Sequence, residues 1–150
     1  MTTKTHACLR WMIRRDLPSV MDIEAQSFEY PWTEGEFLAC SKVANNISMV
    51  AEVNEDVVGY MVYKIHKKKI ELLSFAVHPK YRQSGVGRSL IGRLISKLDV
   101  GRRSKIVVSV RDSNLPAQLF FRSMGFFCTK VEKNCYEDCD DNAYVMEYFL

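Results

Sequence analysis

Glycine and arginine residues cluster in one short run of this chain in a way that suits phosphate binding. The run, residues 82–88, reads Arg-Gln-Ser-Gly-Val-Gly-Arg and lies between an apolar stretch and an amphipathic one. Gly85 and Gly87 allow the backbone to approach a ligand, and the N–H groups of a helix's first turn are unpaired donors. Arg82 and Arg88 add guanidinium groups that pair with phosphate. The run therefore indicates a phosphate-bearing ligand, and an ordinary surface turn with solvated arginines is the alternative.

The same run departs from two familiar nucleotide-binding motifs. A Walker-type loop requires Gly-Lys-Ser/Thr where Gly87-Arg88-Ser89 stands, and a dinucleotide fingerprint requires a small residue where Leu90 stands. A lone Gly-x-Gly is weak evidence for any particular ligand. We therefore expect a phosphate-bearing ligand of another class.

The cysteines and histidines form no metal-binding pattern. The five cysteines include no C-x-x-C pair, and the three histidines are scattered along the chain. Cys135 and Cys139 are close in sequence, but no second close pair accompanies them. An odd number of cysteines without a signal peptide indicates reduced thiols, and we expect no bound metal.

Length and composition indicate a single globular domain spanning residues 1–150. Apolar residues make up 47% of the chain and charged residues 26%. The net charge of +3 is too small to imply nucleic acid, and the basic clusters at residues 67–69 and 102–103 fall at predicted turns, where charge is solvated. No signal sequence or apolar run of membrane length is evident. We expect a cytoplasmic protein, a monomer or weak dimer, that binds neither membranes nor nucleic acid directly.

Hydrophobic periodicity and turn residues predict an alternation of helices and strands around the glycine run. Strands are predicted from β-branched and aromatic stretches, and helices from apolar residues at helical spacing behind capping residues. The predicted strands are 9–14, 47–53, 57–65, 70–77, 106–110, 126–132 and 143–149. The predicted helices begin near Asp16, Glu34, Val86 and Asn114. The order β-α-α-β-β-β-α-β-α-β-β describes a mixed α/β domain with the glycine run at its centre.

Two stretches of this pattern resemble motifs of the GNAT superfamily of acyl-coenzyme A transferases. They are Val77-x-Pro79-x-x-Arg82-x-x-Gly85-x-Gly87, similar to the family's pyrophosphate-binding motif, and Arg111-x-Ser113-Asn114 with the helix to Phe126, similar to its second coenzyme motif. The resemblance covers nearly the whole chain. It implies an α/β fold with a mixed, mostly antiparallel central sheet of about seven strands and helices on both faces.

The resemblance implies acetyl-CoA as cosubstrate. The pyrophosphate is expected at the glycine run, and the amide-rich pantetheine arm along a strand edge near residues 75–77, opened by a β-bulge. Asn114 is expected to hold the coenzyme arm, although a plain helix cap is the alternative. The expected coenzyme residues are Phe75, Ala76, Val77, Arg82, Gln83, Ser84, Gly85, Val86, Gly87, Arg88, Asn114, Phe120, Phe121 and Arg122.

Within the superfamily, two further segments are similar to the bacterial ribosomal-protein alanine N-acetyltransferases, which acetylate a protein's N-terminal amine. These segments are Phe28-x-Tyr30-Pro31-Trp32-Thr33 and Asn134-Cys135-Tyr136. The resemblance implies that an acceptor N-terminus, expected to be that of a ribosomal protein, binds here. The expected acceptor residues are Phe28, Tyr30, Pro31, Trp32 and Tyr136, and a helix-packing cluster is the alternative for the first four.

The chain departs from these relatives at two positions that carry chemistry. Their general base is a Glu on the strand before Arg-x-Ser-Asn and their general acid is a Tyr on the following helix, whereas Ser109 and Phe121 stand at these positions here. General acid–base help is typically worth about 10²–10⁴-fold. An α-amino group, with a reference pKa near 7.7–8.0, is about one-tenth neutral at pH 7, so an N-terminal acceptor tolerates a missing base far better than lysine does.

Three residues are candidates for the remaining chemistry. Glu71 can act as base through a water held by Ser109, and an exposed charge that pairs with a neighbouring strand is the alternative. Tyr136 can clasp the substrate and reach the thiolate, and an ordinary surface tyrosine is the alternative. Direct attack by the amine is expected, without a covalent enzyme intermediate. Transfer to a small-molecule amine or lysine, and a catalytically impaired acyl-CoA-binding module, remain as alternatives, the latter because of Ser109 and Phe121.

Overall fold

The computed structural model describes residues 6–133 and 141–150. Within them, seven strands and four α-helices follow the predicted order. The strands are β1 (Cys8–Trp11), β2 (Asn46–Val53), β3 (Asp56–Ile65), β4 (Lys69–Val77), β5 (Lys105–Arg111), β6 (Phe127–Glu132) and β7 (Ala143–Phe149). The helices are α1 (Leu17–Ser27), α2 (Glu34–Ser41), α3 (Val86–Ser96) and α4 (Leu115–Ser123).

The strands form one sheet in the order β1-β2-β3-β4-β5-β7-β6. Every neighbouring pair is antiparallel except β4 and β5, which run parallel. A parallel pair requires a crossover, and α3 supplies it. This arrangement confirms the mixed, mostly antiparallel sheet of about seven strands.

Two hydrophobic cores lie on opposite faces of the sheet. The larger core contains the inner residues of α3, with Leu90, Ile91 and Leu94 fully buried, and Phe121 of α4. The smaller core packs α1 and α2 against β2, β3 and β4 through residues such as Val20, Ile23 and Phe37. Helices therefore cover both faces, as predicted.

The first strand is shorter than predicted because its end is bound to the following helix. The predicted strand ran to residue 14, whereas β1 ends at Trp11. The buried carboxylate of Asp16 accepts hydrogen bonds from the Arg10 guanidinium at 2.7 and 2.9 Å and from the Ile13 N–H at 2.8 Å. These bonds turn the chain into a short 3-10 turn ahead of α1.

Two kinds of feature are absent from the described residues. None of their helices is long and apolar enough to cross a membrane. Nor do residues 6–133 and 141–150 contain a group of three His, Cys, Asp or Glu side chains placed to hold a metal ion.

Candidate active site

The sheet opens between β4 and β5. The two strands pair only from Lys69 opposite Lys105 to Leu72 opposite Val108. Beyond this point β5 continues beside β7, and β4 continues beside β3 alone. Within the described part of the chain, residues 73–77 of β4 therefore have no strand neighbour on the β5 side, and we call them the free segment of β4.

A β-bulge accompanies this opening. Val62 of β3 lies opposite Ser74 and Tyr63 lies opposite Leu72, so Leu73 is an extra residue in β4. A bulge bends its strand and increases the local twist, which favours separation of β4 from β5. The expected bulge thus lies at Leu73, just before residues 75–77 rather than among them.

A cleft of about 910 Å³ lies beside the free segment. Its walls come from the end of α1, the free segment, residues 82–88 (the glycine turn) and the first two turns of α4. The predicted coenzyme and acceptor residues that line it are Phe28, Phe75, Ala76, Val77, Arg82, Gln83, Ser84, Gly85, Gly87, Arg88, Asn114 and Phe120. Residues that line it without having been predicted are Ser27, Leu115, Pro116, Ala117, Leu119 and Ser123.

The glycine turn has a left-handed backbone at Gly85 and little room for a side chain at Gly87. Gly85, the residue before α3, has φ +96°, in the left-handed region. A Cβ on Gly87 would lie 3.2 Å from two ring carbons of Phe120 and 3.4 Å from the Phe75 ring. No side chain of the described residues caps the N-terminus of α3. Its first-turn N–H groups are therefore available to a ligand.

Both arginines of the turn are anchored by neighbouring elements. The Arg82 Nε donates to the Val77 carbonyl oxygen at 3.1 Å, and its Nη2 donates to the Ser27 Oγ at 3.1 Å. The Arg88 guanidinium lies 3.4 Å from the Ser123 Oγ on α4. Both side chains are exposed at the cleft, so their positive charge remains available to an anion.

The start of α4 forms a wall with one polar residue and several apolar ones. Asn114 caps the helix, because its Oδ1 accepts a hydrogen bond from the Ala117 N–H at 3.2 Å. Phe120 stacks on Phe75, with ring centroids 5.3 Å apart. The helix-cap alternative for Asn114 is thus observed, although the residue also lines the cleft.

Three predicted coenzyme residues do not line the cleft. Val86 is fully buried, and Phe121 is buried between Phe75, Phe120 and Phe126, because both side chains point from amphipathic helices into the larger core. Arg122 is exposed and borders a separate groove between α4 and β6. Their spacing in the motif placed them near the coenzyme, whereas helix geometry turns their side chains elsewhere.

Residues 28–33, between α1 and α2, form a loop at the edge of the cleft that we call the acceptor loop. Phe28 lines the cleft, and the Tyr30 ring lies 4.7 Å from the Arg111 guanidinium carbon at the end of β5. The Trp32 ring packs on Phe37 of α2 with centroids 4.9 Å apart. Pro31 is exposed between them. The packing alternative therefore holds for Trp32, whereas Tyr30 contacts the far side of the opening.

The Trp32 backbone is bound by a residue that the sequence interpretation missed. Its N–H donates to the Oε2 of Glu24 at 2.8 Å, and Glu24 is only 2% exposed. A signal was present in the sequence, since Glu24 adjoins Ile23 and is four residues from Val20, on the apolar stripe of a helix.

Two of the three catalytic candidates lie on one face of neighbouring strands. Ile70, Leu72 and Val108 point into the larger core, so the alternate residues Glu71 and Ser109 point to the face that carries α1 and α2. Glu71 lies opposite Val107, two residues before Ser109 on β5, and neither lines the cleft.

Glu71 and Ser109 have different surroundings. The Glu71 side chain is 40% exposed, with its Oε1 2.9 Å from the His66 Nε2, while Ser109 is exposed opposite Val145 of β7. Tyr136, the third candidate, lies outside the described residues, as do Asn134 and Cys135.

Comparison with known proteins gives consistent matches. A model of the acetyltransferase (GNAT) family matches residues 17–126. The chain is 27% identical over 133 residues to the ribosomal protein bS18-alanine N-acetyltransferase of Escherichia coli strain K12, covering 87% of this chain and 89% of that protein.

Solved structures share the fold. The crystal structure of Ard1 from Thermoplasma volcanium has a TM-score of 0.85 and 27% identity, covering 96% of this chain and 97% of that chain. The Arabidopsis thaliana NAA60 structure in complex with acetyl-CoA has a TM-score of 0.82 and 18% identity, covering 97% of this chain and 100% of that chain.

Proposed function

Because the chain belongs to the GNAT family of acetyltransferases, we propose that it transfers an acetyl group from acetyl-CoA to the N-terminal amine of a protein, specifically a ribosomal protein. The observation that carries the proposal is the cleft beside the free segment of β4, which has the glycine turn at its edge. The Escherichia coli relative, named for the alanine of ribosomal protein bS18, supports the choice of acceptor.

The residues around the cleft fit coenzyme A. The glycine turn offers uncapped helix N–H groups and two anchored guanidinium groups, which suit a pyrophosphate. The absence of side chains at Gly85 and Gly87 leaves room for close approach. The free segment presents backbone N–H and C=O groups in the manner of a sheet edge, and the amides of a pantetheine arm can pair with them. Acetyl-CoA in the Arabidopsis structure of the same fold supports this assignment.

The acceptor is expected to approach from the face that carries Glu71 and Ser109. The acceptor loop borders this approach, and its Tyr30 reaches β5 through Arg111. An N-terminal amine suits the site because a neutral fraction of about one-tenth is present at pH 7 without any base. We expect Tyr136 to help hold the acceptor.

The bound coenzyme supplies a thioester that the amine attacks directly. Ser109 has no acidic or basic group of its own, so we propose that it holds a water molecule. We propose that Glu71 accepts the proton of the amine through that water. His66 holds one oxygen of Glu71, which leaves the other oxygen for this role. Phe121 is buried and has no proton to give, so the departing thiolate leaves without help from that position.

The buried Phe121 also favours a second function, an acyl-CoA-binding module with little activity. This alternative predicts the same coenzyme site but no transfer to any amine. The remaining partner assignments, a cytoplasmic monomer or weak dimer without nucleic-acid or membrane contact, stay proposals.

Two measurements on the full chain test the function. Calorimetry measures acetyl-CoA binding, and thiol release is followed with peptides that carry free or blocked N-termini. We expect binding together with turnover that depends on a free N-terminus. Binding without turnover on any amine supports the binding module. Turnover on N-terminally blocked peptides that contain lysine, or on small amines alone, overturns the N-terminal assignment.

A further inference from the structure

Glu24 is a buried carboxylate at the junction of four elements. It lies on the inner face of α1, is 2% exposed, and is bonded by three neutral donors. The Tyr60 hydroxyl on β3 donates to its Oε1, and the Ser74 Oγ on β4 donates to the same oxygen at 3.2 Å. The Trp32 N–H of the acceptor loop donates to its Oε2 at 2.8 Å.

Two of these partners belong to elements that border the cleft, the free segment of β4 and the acceptor loop. Ser74 is the first residue after the bulge at Leu73, where β4 leaves β5. Trp32 fixes the end of the acceptor loop that carries Tyr30. Glu24 therefore joins the loop to the free segment of β4 through one carboxylate.

The chemistry of the junction favours a single geometry. A buried carboxylate is costly unless its oxygens accept hydrogen bonds, so all three donors are held toward it. Burial, and next the negative charge of Glu24, raise the pKa of Tyr60 above its ordinary value. Tyr60 therefore remains a donor over the whole working pH range.

We propose that Glu24 is a positioning residue for the acceptor, which holds the acceptor loop at a set distance from the free segment of β4. The inference rests on the proposed function, since it concerns how the acceptor is gripped. Among the described residues the glycine turn and α4 make no hydrogen bond to Glu24, and the hydrogen bond between α1 and the turn joins the Arg82 Nη2 to the Ser27 Oγ. Loss of the carboxylate should therefore weaken acceptor binding while leaving coenzyme binding nearly intact.

The test compares Glu24→Gln with Asp22→Asn, both in the full chain carrying Trp11→Phe. Asp22 is a matched control because it is an exposed carboxylate on the same helix, bonded to Gln26 at 2.8 Å. The chain has two tryptophans, so Trp11→Phe leaves Trp32 as the only one, and excitation selective for tryptophan avoids the seven tyrosines. In E24Q an amide NH₂ group replaces one of the two oxygens and faces either the Trp32 N–H or the hydroxyls of Tyr60 and Ser74.

We expect E24Q to increase acrylamide quenching of Trp32 and to raise the peptide KM about tenfold, with kcat and the acetyl-CoA Kd changed less than about threefold. D22N should change none of these values. Unchanged quenching, or a coenzyme Kd that weakens as much as the peptide KM, overturns the proposal. If the parent chain shows no peptide turnover, the proposed function fails, while quenching and coenzyme Kd still decide whether Glu24 holds the loop.

If E24Q does not fold, Tyr60→Phe replaces it. This variant removes one donor and keeps the Trp32 and Ser74 bonds. We expect a smaller change in the same direction, a rise of about threefold in peptide KM with unchanged coenzyme Kd. A Y60F chain with the parent's peptide KM and quenching overturns the proposal.

Discussion

The glycine turn and the acceptor loop both border the cleft, and they differ in how their geometry is held. The turn is shaped by its own backbone, through the left-handed Gly85 and the absence of a side chain at Gly87. The loop is held from outside, by Glu24 of α1 and by the contact of Tyr30 with Arg111 of β5. A short motif therefore specifies the first region, whereas the second depends on residues distant in sequence.

The same contrast separates binding from catalysis. The residues expected to bind coenzyme match the family motif at the turn, whereas Ser109 and Phe121 differ from the Glu base and Tyr acid that the resemblance to ribosomal-protein alanine N-acetyltransferases implies. Disturbing the turn should therefore affect coenzyme affinity, and changing the β4–β5 face should affect rate. Four substitutions test this division, and a fifth, Asp16→Asn, tests the stability of the fold.

The largest effect is expected from Gly87→Val. Even a single Cβ would lie 3.2 Å from the Phe120 ring, so valine forces Phe120 or the turn to move into the space assigned to the coenzyme. We expect the acetyl-CoA Kd, measured by calorimetry, to rise about 100-fold, the equivalent of two tenfold steps of 1.4 kcal/mol. Gly92→Val is the control, because Gly92 lies on the same helix with no atom within 4 Å of an added Cβ. Equal Kd values for the two variants contradict the assignment.

The next effect is expected from Ser109→Glu, which places a carboxylate where the relatives have their base. General-base help in the range of about 10²–10⁴-fold sets the upper limit, and we expect a gain of about 30-fold in kcat/KM at pH 6. The gain should shrink toward pH 9, because the amine is then already neutral. Thiol-release assays between pH 6 and pH 9 measure kcat/KM in the variant and in the parent.

Glu71→Gln tests whether the rate gain in Ser109→Glu comes from a new base. Glu71→Gln should lower the parent's kcat/KM about tenfold but have little effect in the Ser109→Glu chain, which has its own base. Glu147→Gln is the control, since Glu147 is a carboxylate of the same sheet that pairs with Lys105 at 3.1 Å. A rate gain in S109E that is equal at every pH excludes a proton-transfer role for position 109.

The third effect is expected in the free energy of unfolding, through the hydrogen bonds between Arg10 of β1 and Asp16, which precedes α1. Hydrogen bonds from Arg10 lower the pKa of Asp16, so its ionised form stabilises the fold above the unfolded value of about 3.8, and this stabilisation is lost as the pH falls through the lower folded value. Asp16→Asn should cost about 2 kcal/mol at pH 7 in chemical denaturation. The difference in the free energy of unfolding between the parent and D16N should diminish below pH 3.8. A difference that does not depend on pH would contradict this account.

The smallest effect is expected from Tyr30→Ala. The exposed contact with Arg111 is worth about 0.5–1 kcal/mol, so the peptide KM should rise about two- to fivefold. Tyr30→Phe retains the ring and should raise the KM less than Tyr30→Ala does. The acetyl-CoA Kd should stay unchanged in both variants. A raised acetyl-CoA Kd in Y30A would contradict the separation of coenzyme binding at the glycine turn from acceptor binding at the acceptor loop.

The elements were predictable because each has a local signature. The apolar spacing of α3 and the capping residues Thr33 and Asn114 appear in the sequence, and both caps form in the structure. The end of β1 was not predictable in this way, since it depends on bonds between Arg10 and Asp16. Helix orientation also redirected Val86, Phe121 and Arg122 away from the cleft, because a motif's spacing does not specify which face of a helix is buried.

The glycine turn, the order of elements and family membership follow from residues that are close in the chain, since backbone conformation and amphipathic periodicity are local properties. Three other features depend on groups that are distant in sequence or differently oriented. They are the opening of the sheet at Leu73, the burial of Glu24 and the pairing of Glu71 with His66. Their geometry depends on strand register and helix packing, which arise only when the whole chain has folded. The phosphate-binding character of the glycine turn is therefore encoded locally, whereas the proposed grip on the acceptor depends on the assembled core.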